Sequence, residues 1–436
     1  MRRTPTRRRR AAVAALLAGQ LGLGVAVGSS PAAAASGCGQ RSKVELIAEP
    51  SYVLRQYAAA SALWPRGHDG AGVIVAVLDS GLSSDNPHFA APGAVLDGTT
   101  FLPEDPTLAD LRAPTGRKDA AEHGTAVAGL IAARRIDGSG VAGLAPAATL
   151  LPVQVYGIAA SDDPRYAAAL PKTSQIAAGI RYAADAGAKV IALSMSQDRP
   201  DPALEEAVAY ARSKGALLVA SAGDRLTAAN KSDTPRYPAA YPGVVSVTAT
   251  TTDGRASSTS IHGPHVSIAA PGQQLPTTVG AFGDCVVAAQ PESSYAVPLV
   301  AAAAALLVQR YPAEGPDLWK YRLEASAIRP SSAVRDDRLG WGLLAPYDAL
   351  TMTLDPDRPG PVLPGKSAPR QRIDAVQVSP LVLPDDPLAR PRALGVWLVF
   401  GAAVATLALR LVRTLRSGSG PTTKAVRARG GAGADG

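Results

Sequence analysis

Runs that read as strands alternate along this chain with runs that read as helices, and this alternation limits the fold more than any single motif. "GVIVAVLDS" (72–80) is apolar at consecutive positions and rich in β-branched residues, the pattern of a strand covered on both faces. "GTAVAGLIAARR" (124–135) then spaces its apolar residues as a helix does. "ATLLPVQVYG" (148–157) reads as strand, and "TSQIAAGIRYAADAG" (173–187) as a helix closed by Gly187. "AKVIALSMS" (188–196), "PALEEAVAYARSKG" (202–215) and "ALLVASAGD" (216–224) continue as strand, helix and strand. "GVVSVTAT" (243–250) and "HVSIAAPG" (265–272) follow as strands. The expected fold class is α/β: a doubly wound, mostly parallel sheet with helices on both faces. Ligands of such sheets bind beyond the carboxyl ends of the strands. Three strands carry polar residues there: Asp79, the stretch Ser194–Met195–Ser196, and Asp224.

"PESSYAVPLVAAAAALL" (291–307) opens a nearly unbroken apolar helix on two serines, which poses the question of whether they cap the helix or react. Taken singly, Asp79 could cap a turn, His123 could be a satisfied core histidine, and Ser294 could be an ordinary N-cap. Taken together, an acid after the first core strand, a histidine opening one helix and a serine opening another follow the order Asp, His, Ser. That is one of the orders in which a hydrolytic triad occurs. His68, His88, His262 and His265 lie in turn-like contexts, and none opens an apolar helix.

The motifs resemble those of the subtilases. "VIVAVLDSGL" is similar to the aspartate motif, "EHGTAVAGLIAA" to the histidine motif and "ESSYAVPLVAAAAALL" to the serine motif, with "GVAGLAP" (140–146), "VIALSMS" and "VSIAAPG" in matching places. A narrower resemblance is to the mycosins, the membrane-anchored subtilases of type VII secretion, through "AAASALWPRGHDGAGVIVAVLDSGL" and "RDDRLGWGLLAPYDALT" (335–351). The resemblance implies a catalytic domain without a cofactor, acting on polypeptide, with Ser294 as nucleophile, His123 as general base and Asp79 as its orienting carboxylate. It further implies that Ser194, Met195 and Ser196 lie along the substrate, and that a type VII secretion complex in the membrane is a partner. Asp224 falls at the oxyanion position, where the family has an asparagine. A carboxylate cannot donate there unless protonated, and losing one such donor costs about 10²–10³ in kcat, roughly 2.7–4 kcal/mol. Glu292 replaces a glycine of the serine motif, so backbone strain is expected there if that position needs a glycine conformation. Ser196, usually glycine, is expected to narrow the cleft. Two functions follow: a specialised serine endopeptidase of low turnover, or a subtilase-fold scaffold of a secretion complex with little or no hydrolytic power. An esterase would need a G-x-S-x-G elbow, and a metalloprotease H-E-x-x-H; neither motif occurs. No acidic loop is specific enough to assign calcium, so no metal is expected.

The two ends of the chain set its topology. Six arginines in the first ten residues, an apolar stretch Ala11–Val27 and "GSSPAAAASG" make a signal peptide over 1–35, with a retained anchor as the alternative. Residues 36–352 are the expected catalytic domain with a short N-terminal extension, and 353–392, with nine prolines, a stiff linker. "ALGVWLVFGAAVATLAL", within the expected transmembrane helix 393–412, is near the short limit for a spanning helix; a buried core helix is the alternative. The tail 413–436 is basic, which predicts a cytoplasmic C-terminus and an extracellular catalytic domain. These two basic ends account for the formal net charge of +8. The body between them is mildly acidic, which argues against nucleic-acid binding. In an oxidising compartment the two cysteines, Cys38 and Cys285, would pair and pin a wrapping N-terminal segment, although "ASGC" also leaves a lipoprotein-type cleavage open.

Overall fold

A computed structural model describes residues 44–225, 232–366 and 389–416. Residues 44–50 run as an extended strap into two short helical turns, α1 (Tyr52–Gln56) and α2 (Ala58–Ser61). The main elements follow: β1 (Ile74–Asp79), β2 (Thr99–Thr100), α3 (His123–Ala132), β3 (Thr149–Gln154), α4 (Thr173–Asp185), β4 (Val190–Leu193), α5 (Pro202–Ser213), β5 (Leu217–Ser221), β6 (Val245–Thr250) and β7 (Ile268–Pro271). A hairpin of β8 (Leu275–Thr278) and β9 (Asp284–Val287) leads to α6 (Ser293–Arg310), α7 (Pro316–Ser326) and α8 (Pro346–Thr351).

The large sheet has seven strands in the order β2-β3-β1-β4-β5-β6-β7, all parallel, as the alternating sequence requires. Period-two alternation sends neighbouring side chains of one strand to opposite layers. Val75, Val77, Val190 and Ala192 pack with α3 and α6, whereas Ala76, Leu78, Ile191 and Leu193 pack with α4 and α5. Strands with both faces covered cannot alternate polar with apolar, hence the continuous runs.

Helix α6 is the spine of the first layer. It is long and apolar enough to cross a membrane, yet it is mostly buried inside the domain. Its alanines let it lie close under β4, β5, β6 and β7, while Leu299, Val300, Leu306 and Leu307 fill the space beside it. Each such side chain contributes about 1.5–3 kcal/mol on burial.

The hairpin was not legible as strands. It seats on α3 through threonine hydroxyls, Thr277 donating to the Ala126 carbonyl and Thr278 to the Thr125 carbonyl, both at 2.7 Å. The strap crosses its other side: Glu45 N–H donates to the Phe282 carbonyl and Ile47 N–H to Asp284 Oδ2. A fully buried histidine–aspartate hydrogen bond closes this corner, His88 Nε2 to Asp284 Oδ1 at 2.8 Å, with His88 Nδ1 on the Arg134 carbonyl at 2.6 Å. Cys285 is buried beside it, and no free cysteine occurs among the described residues. Its expected partner Cys38 lies outside those residues, as do the expected signal peptide and most of the tail.

Among the described residues, a second unit contains one helix, α9 (Ala389–Arg416), in which Trp397, Leu398, Val399, Phe400, Val404 and Leu407 are exposed. It begins four residues before the expected start at 393 and runs past 412. Pro391 falls in its first turn, where a missing N–H costs no helical hydrogen bond.

Candidate active site

Strand β1 delivers Asp79 to the carboxyl edge of the sheet, fully buried. The chain then turns through Ser80 and Gly81, and α3 begins with His123 against that turn. A Cβ on Gly124 would stand 2.1 Å from the Gly81 carbonyl oxygen, so only glycine lets the helix come this close. The result is a 2.8 Å hydrogen bond from His123 Nδ1 to Asp79 Oδ1. Glu122 holds φ at +62° just ahead of His123, a costly conformation for a side-chain residue and one that turns the chain into the helix.

A second carboxylate braces the same corner. Asp119, buried, accepts from Ser80 Oγ at 2.7 Å and from the N–H and hydroxyl of Thr125, both at 2.7 Å. Ser80 Oγ in turn accepts from Gly124 N–H at 3.0 Å, locking β1 to α3. Burial pushes the Asp119 carboxyl above its ordinary range. Burial would do the same to Asp79, but the His123 charge and hydrogen bond, with Ser80 N–H and Tyr156, bring it below. Burial works against a charged His123; Asp79 first, then Asp119 and Glu292, outweigh it and raise the imidazole.

Ser294 lies at the second position of α6, half-buried. Its neighbours face the imidazole: the Tyr295 ring centroid is 4.9 Å from that of His123, and Glu292 acts on it electrostatically. No hydrogen bond joins His123 to Ser294 among the described residues, a common state of such sites without substrate. Pro298 stands one turn on, leaving the Ser294 carbonyl without its helical donor.

The other serine answers the capping question. Glu292 is the N-cap but makes no side-chain cap. The cap is supplied from the segment after β5, where Asp224 Oδ2 accepts from Ser293 N–H and Oδ1 from the Ser293 hydroxyl, both at 2.8 Å, with Ser260 Oγ at 3.2 Å. A carboxylate at a helix N-terminus is favourably placed, yet burial, with Glu292 adding to it, pushes Asp224 up to about 6. Glu292 is itself raised by burial, with His123 opposing. The strain expected at Glu292 is absent: its φ of −128° is extended backbone that any residue adopts.

Met195 and Ser196 line a cleft of about 500 Å³ with Ile176, Leu193, Leu204 and Tyr237. Ser194, at the end of β4, is buried, and its hydroxyl has no partner among the described residues. Asp162 is the one carboxylate lining this cleft among the described residues. No group of three or more metal-ligating side chains occurs among the described residues.

Three features escaped the sequence reading: the Asp119 brace, the Asp224–Ser293 cap and Tyr156. The Tyr156 hydroxyl donates to Asp79 Oδ1 at 2.7 Å. Its signal was one aromatic residue directly after a strand that ends at the ligand-binding edge.

The model of the subtilase family (Peptidase_S8) matches residues 70–342, and the chain belongs to that family, the subtilisin-like serine proteases. Thermitase of Thermoactinomyces vulgaris is 34% identical over 265 residues, which is 60% of this chain and 85% of thermitase. Subtilisin E of Bacillus subtilis is 33% identical over 270 residues, 62% of this chain and 64% of that protein. Among solved structures, MycP1 from Mycobacterium smegmatis matches with a TM-score of 0.60 and 26% identity over 75% of this chain and 92% of its own. MycP3 protease from the type VII (ESX-3) secretion system matches with a TM-score of 0.58 and 26% identity, over 71% and 92% of the two chains.

Proposed function

We propose that this chain is a membrane-anchored serine endopeptidase with Asp79, His123 and Ser294 as its triad, working with a type VII secretion complex. One observation carries the reading: a buried Asp79 fixes His123 through Nδ1 at 2.8 Å, leaving Nε2 without a hydrogen bond among the described residues, beside the first turn of the Ser294 helix. Nδ1 donates to the carboxylate, so Nε2 is the nitrogen left to accept a proton. Ser294 Oγ would attack the carbonyl carbon of a peptide while His123 takes its proton. Collapse of the tetrahedral adduct expels the amine, which takes that proton from His123, and water then hydrolyses the acyl-enzyme by the same steps. The Ser294 N–H and the α6 N-terminus would stabilise the oxyanion. Substrate would lie along Ser194–Met195–Ser196. Relatedness to MycP1, described as an essential component of the type VII (ESX-1) secretion system, supports the partner. The α9 helix is the proposed membrane anchor, with the catalytic domain outside, the basic tail in the cytoplasm and Cys38 paired with Cys285.

Turnover is expected to be low. His123 works as a base only above its raised pKa, whereas Asp224 can donate only while protonated, below about 6. The two requirements pull apart. That mismatch, with Glu292 beside the nucleophile, favours the second reading, a scaffold whose chemistry is residual. The full chain in detergent, treated with a fluorophosphonate probe beside Ser294→Ala, tests the choice. Labelling that vanishes in the variant is expected; a folded wild type that never labels would leave the scaffold.

A further inference from the structure

Asp79 is served very unevenly. Three donors converge on Oδ1: Ser80 N–H at 2.8 Å, His123 Nδ1 at 2.8 Å and the Tyr156 hydroxyl at 2.7 Å. The single Ser80 hydroxyl proton is better placed on Asp119, at 2.7 Å, than on Asp79 Oδ1, at 3.2 Å. Oδ2 is buried and has no partner among the described residues. A carboxylate with one crowded and one empty oxygen has no reason to hold this orientation unless the donors on the crowded side outweigh a rotation. Ser80 N–H is fixed by the main chain, and His123 is the group being positioned. Tyr156 is the remaining side chain able to decide.

The position of Tyr156 is fixed in turn. The β1–β3 register pairs Asp79 with Gln154, and Val155 N–H continues the ladder by donating to the Asp79 carbonyl, so residue 156 emerges next to the carboxylate. Tyr156 is buried among the apolar residues of the α4 and α5 layer, with only its hydroxyl reaching the polar corner, 3.4 Å from His123 Nδ1. An apolar residue would fill that volume equally well; the hydroxyl is what the corner uses.

We propose that Tyr156 is a positioning residue of the triad: its hydroxyl holds the Asp79 carboxylate turned toward His123 and takes a share of the charge that would otherwise serve the imidazole alone. This deepens the protease reading and rests on it. The charge-sharing has a direction. A hydroxyl bonded to the carboxylate stabilises the anion and weakens its pull on a protonated imidazole. Removing it should make His123 more basic. The other groups acting on His123 are Asp79 on β1, Asp119 ahead of α3, Glu292 at the N-cap of α6 and Tyr295 within it, with Glu122 next in sequence, and none of these is substituted by a change at 156.

The test reads the imidazole itself. The chain has five histidines, so the full protein in detergent, labelled with ¹³C at histidine Cε1, gives a countable set of signals by NMR, with His123→Gln assigning its own. All titrations use the Ser294→Ala background. Tyr156→Phe is expected to raise the His123 midpoint by about one pH unit. In the otherwise wild-type enzyme the acid limb of probe labelling should move up by the same amount. A midpoint unchanged in a folded variant would overturn the proposal and make Tyr156 a packing residue. If Tyr156→Phe fails to fold, 3-fluorotyrosine placed at 156 keeps ring and hydroxyl but strengthens the donor. The midpoint should then fall, and an unmoved one again overturns the proposal. Because the titration does not depend on turnover, a chain that never labels Ser294 would sink the protease reading while the Tyr156 result stood.

Discussion

Two histidine–aspartate pairs occur in this domain at the same 2.8 Å separation, one fully buried at His88 and one with His123 partly exposed, and they are built for opposite ends. His123 meets Asp79 through Nδ1 and keeps Nε2 open toward a helix N-terminus. His88 meets Asp284 through Nε2, while its Nδ1 faces the Arg134 carbonyl, which only accepts. Both His88 nitrogens are occupied and both partners have no exposed side-chain surface, so no proton can be passed on. What would separate the proposed base, His123, from the structural His88 is therefore not its carboxylate but what faces the second nitrogen.

Exchanging the roles should fail in measurable ways. The largest effect is expected from His123→Ala, which should lower probe labelling by about 10⁴–10⁶-fold with little change in thermal midpoint. His88→Ala should do the reverse, costing about 3 kcal/mol in denaturant unfolding, because it opens a cavity in the buried corner and removes one of the hydrogen bonds on Asp284. Labelling per folded molecule should persist, and a variant that unfolds less readily than this would break the contrast. Next comes Asp224→Asn, which turns a ring of acceptors into one with a donor. A gain of about 10²-fold in labelling or peptide hydrolysis is expected; no gain would mean that another part of the site limits turnover. The smallest effect concerns stability. Asp224 has a folded pKa raised to about 6 from 3.8, so it favours the fold most below about 4, and that contribution is lost as pH rises through 6. The advantage of Asp224→Asn over wild type should thus be larger at pH 7.5 than at pH 4.5 by about 2 kcal/mol, read from urea midpoints at the two pH values.

Much of this was legible in the sequence where the constraint is local. Strands buried on both faces announce themselves as β-branched runs, and helices closed by Gly187 or Gly215 end where those glycines adopt positive φ. Asp79 and His123 were readable because each sits where a strand ends or a helix opens, and Ser294 because it opens a helix. Asp284 was not, since it meets His88 across 196 positions of sequence and no periodic pattern spans such a distance. The hairpin was hidden for a related reason: its four-residue strands, "LPTT" and "DCVV", are too short to show a period. At Asp224 the sequence exposed the missing amide but not the replacement bond, because Ser293 looked like an ordinary neighbour of the nucleophile. Glu292 gave a misleading signal, since a glycine position in a motif does not by itself require positive φ.

The strap across the hairpin also sets an order of events. Ile47 cannot reach its acceptor on Asp284 until 237 further residues of chain exist, and Ser294 comes later still. Contacts of such separation form late, after the loops between them are closed. A nascent chain carries its sheet strands and its aspartate–histidine corner well before Ser294 is made, so the proposed triad and the strap's anchor at Asp284 are completed by neighbouring stretches of sequence. A protease of the proposed kind, whose nucleophile is made after most of its domain, is harmless to itself for most of its own synthesis.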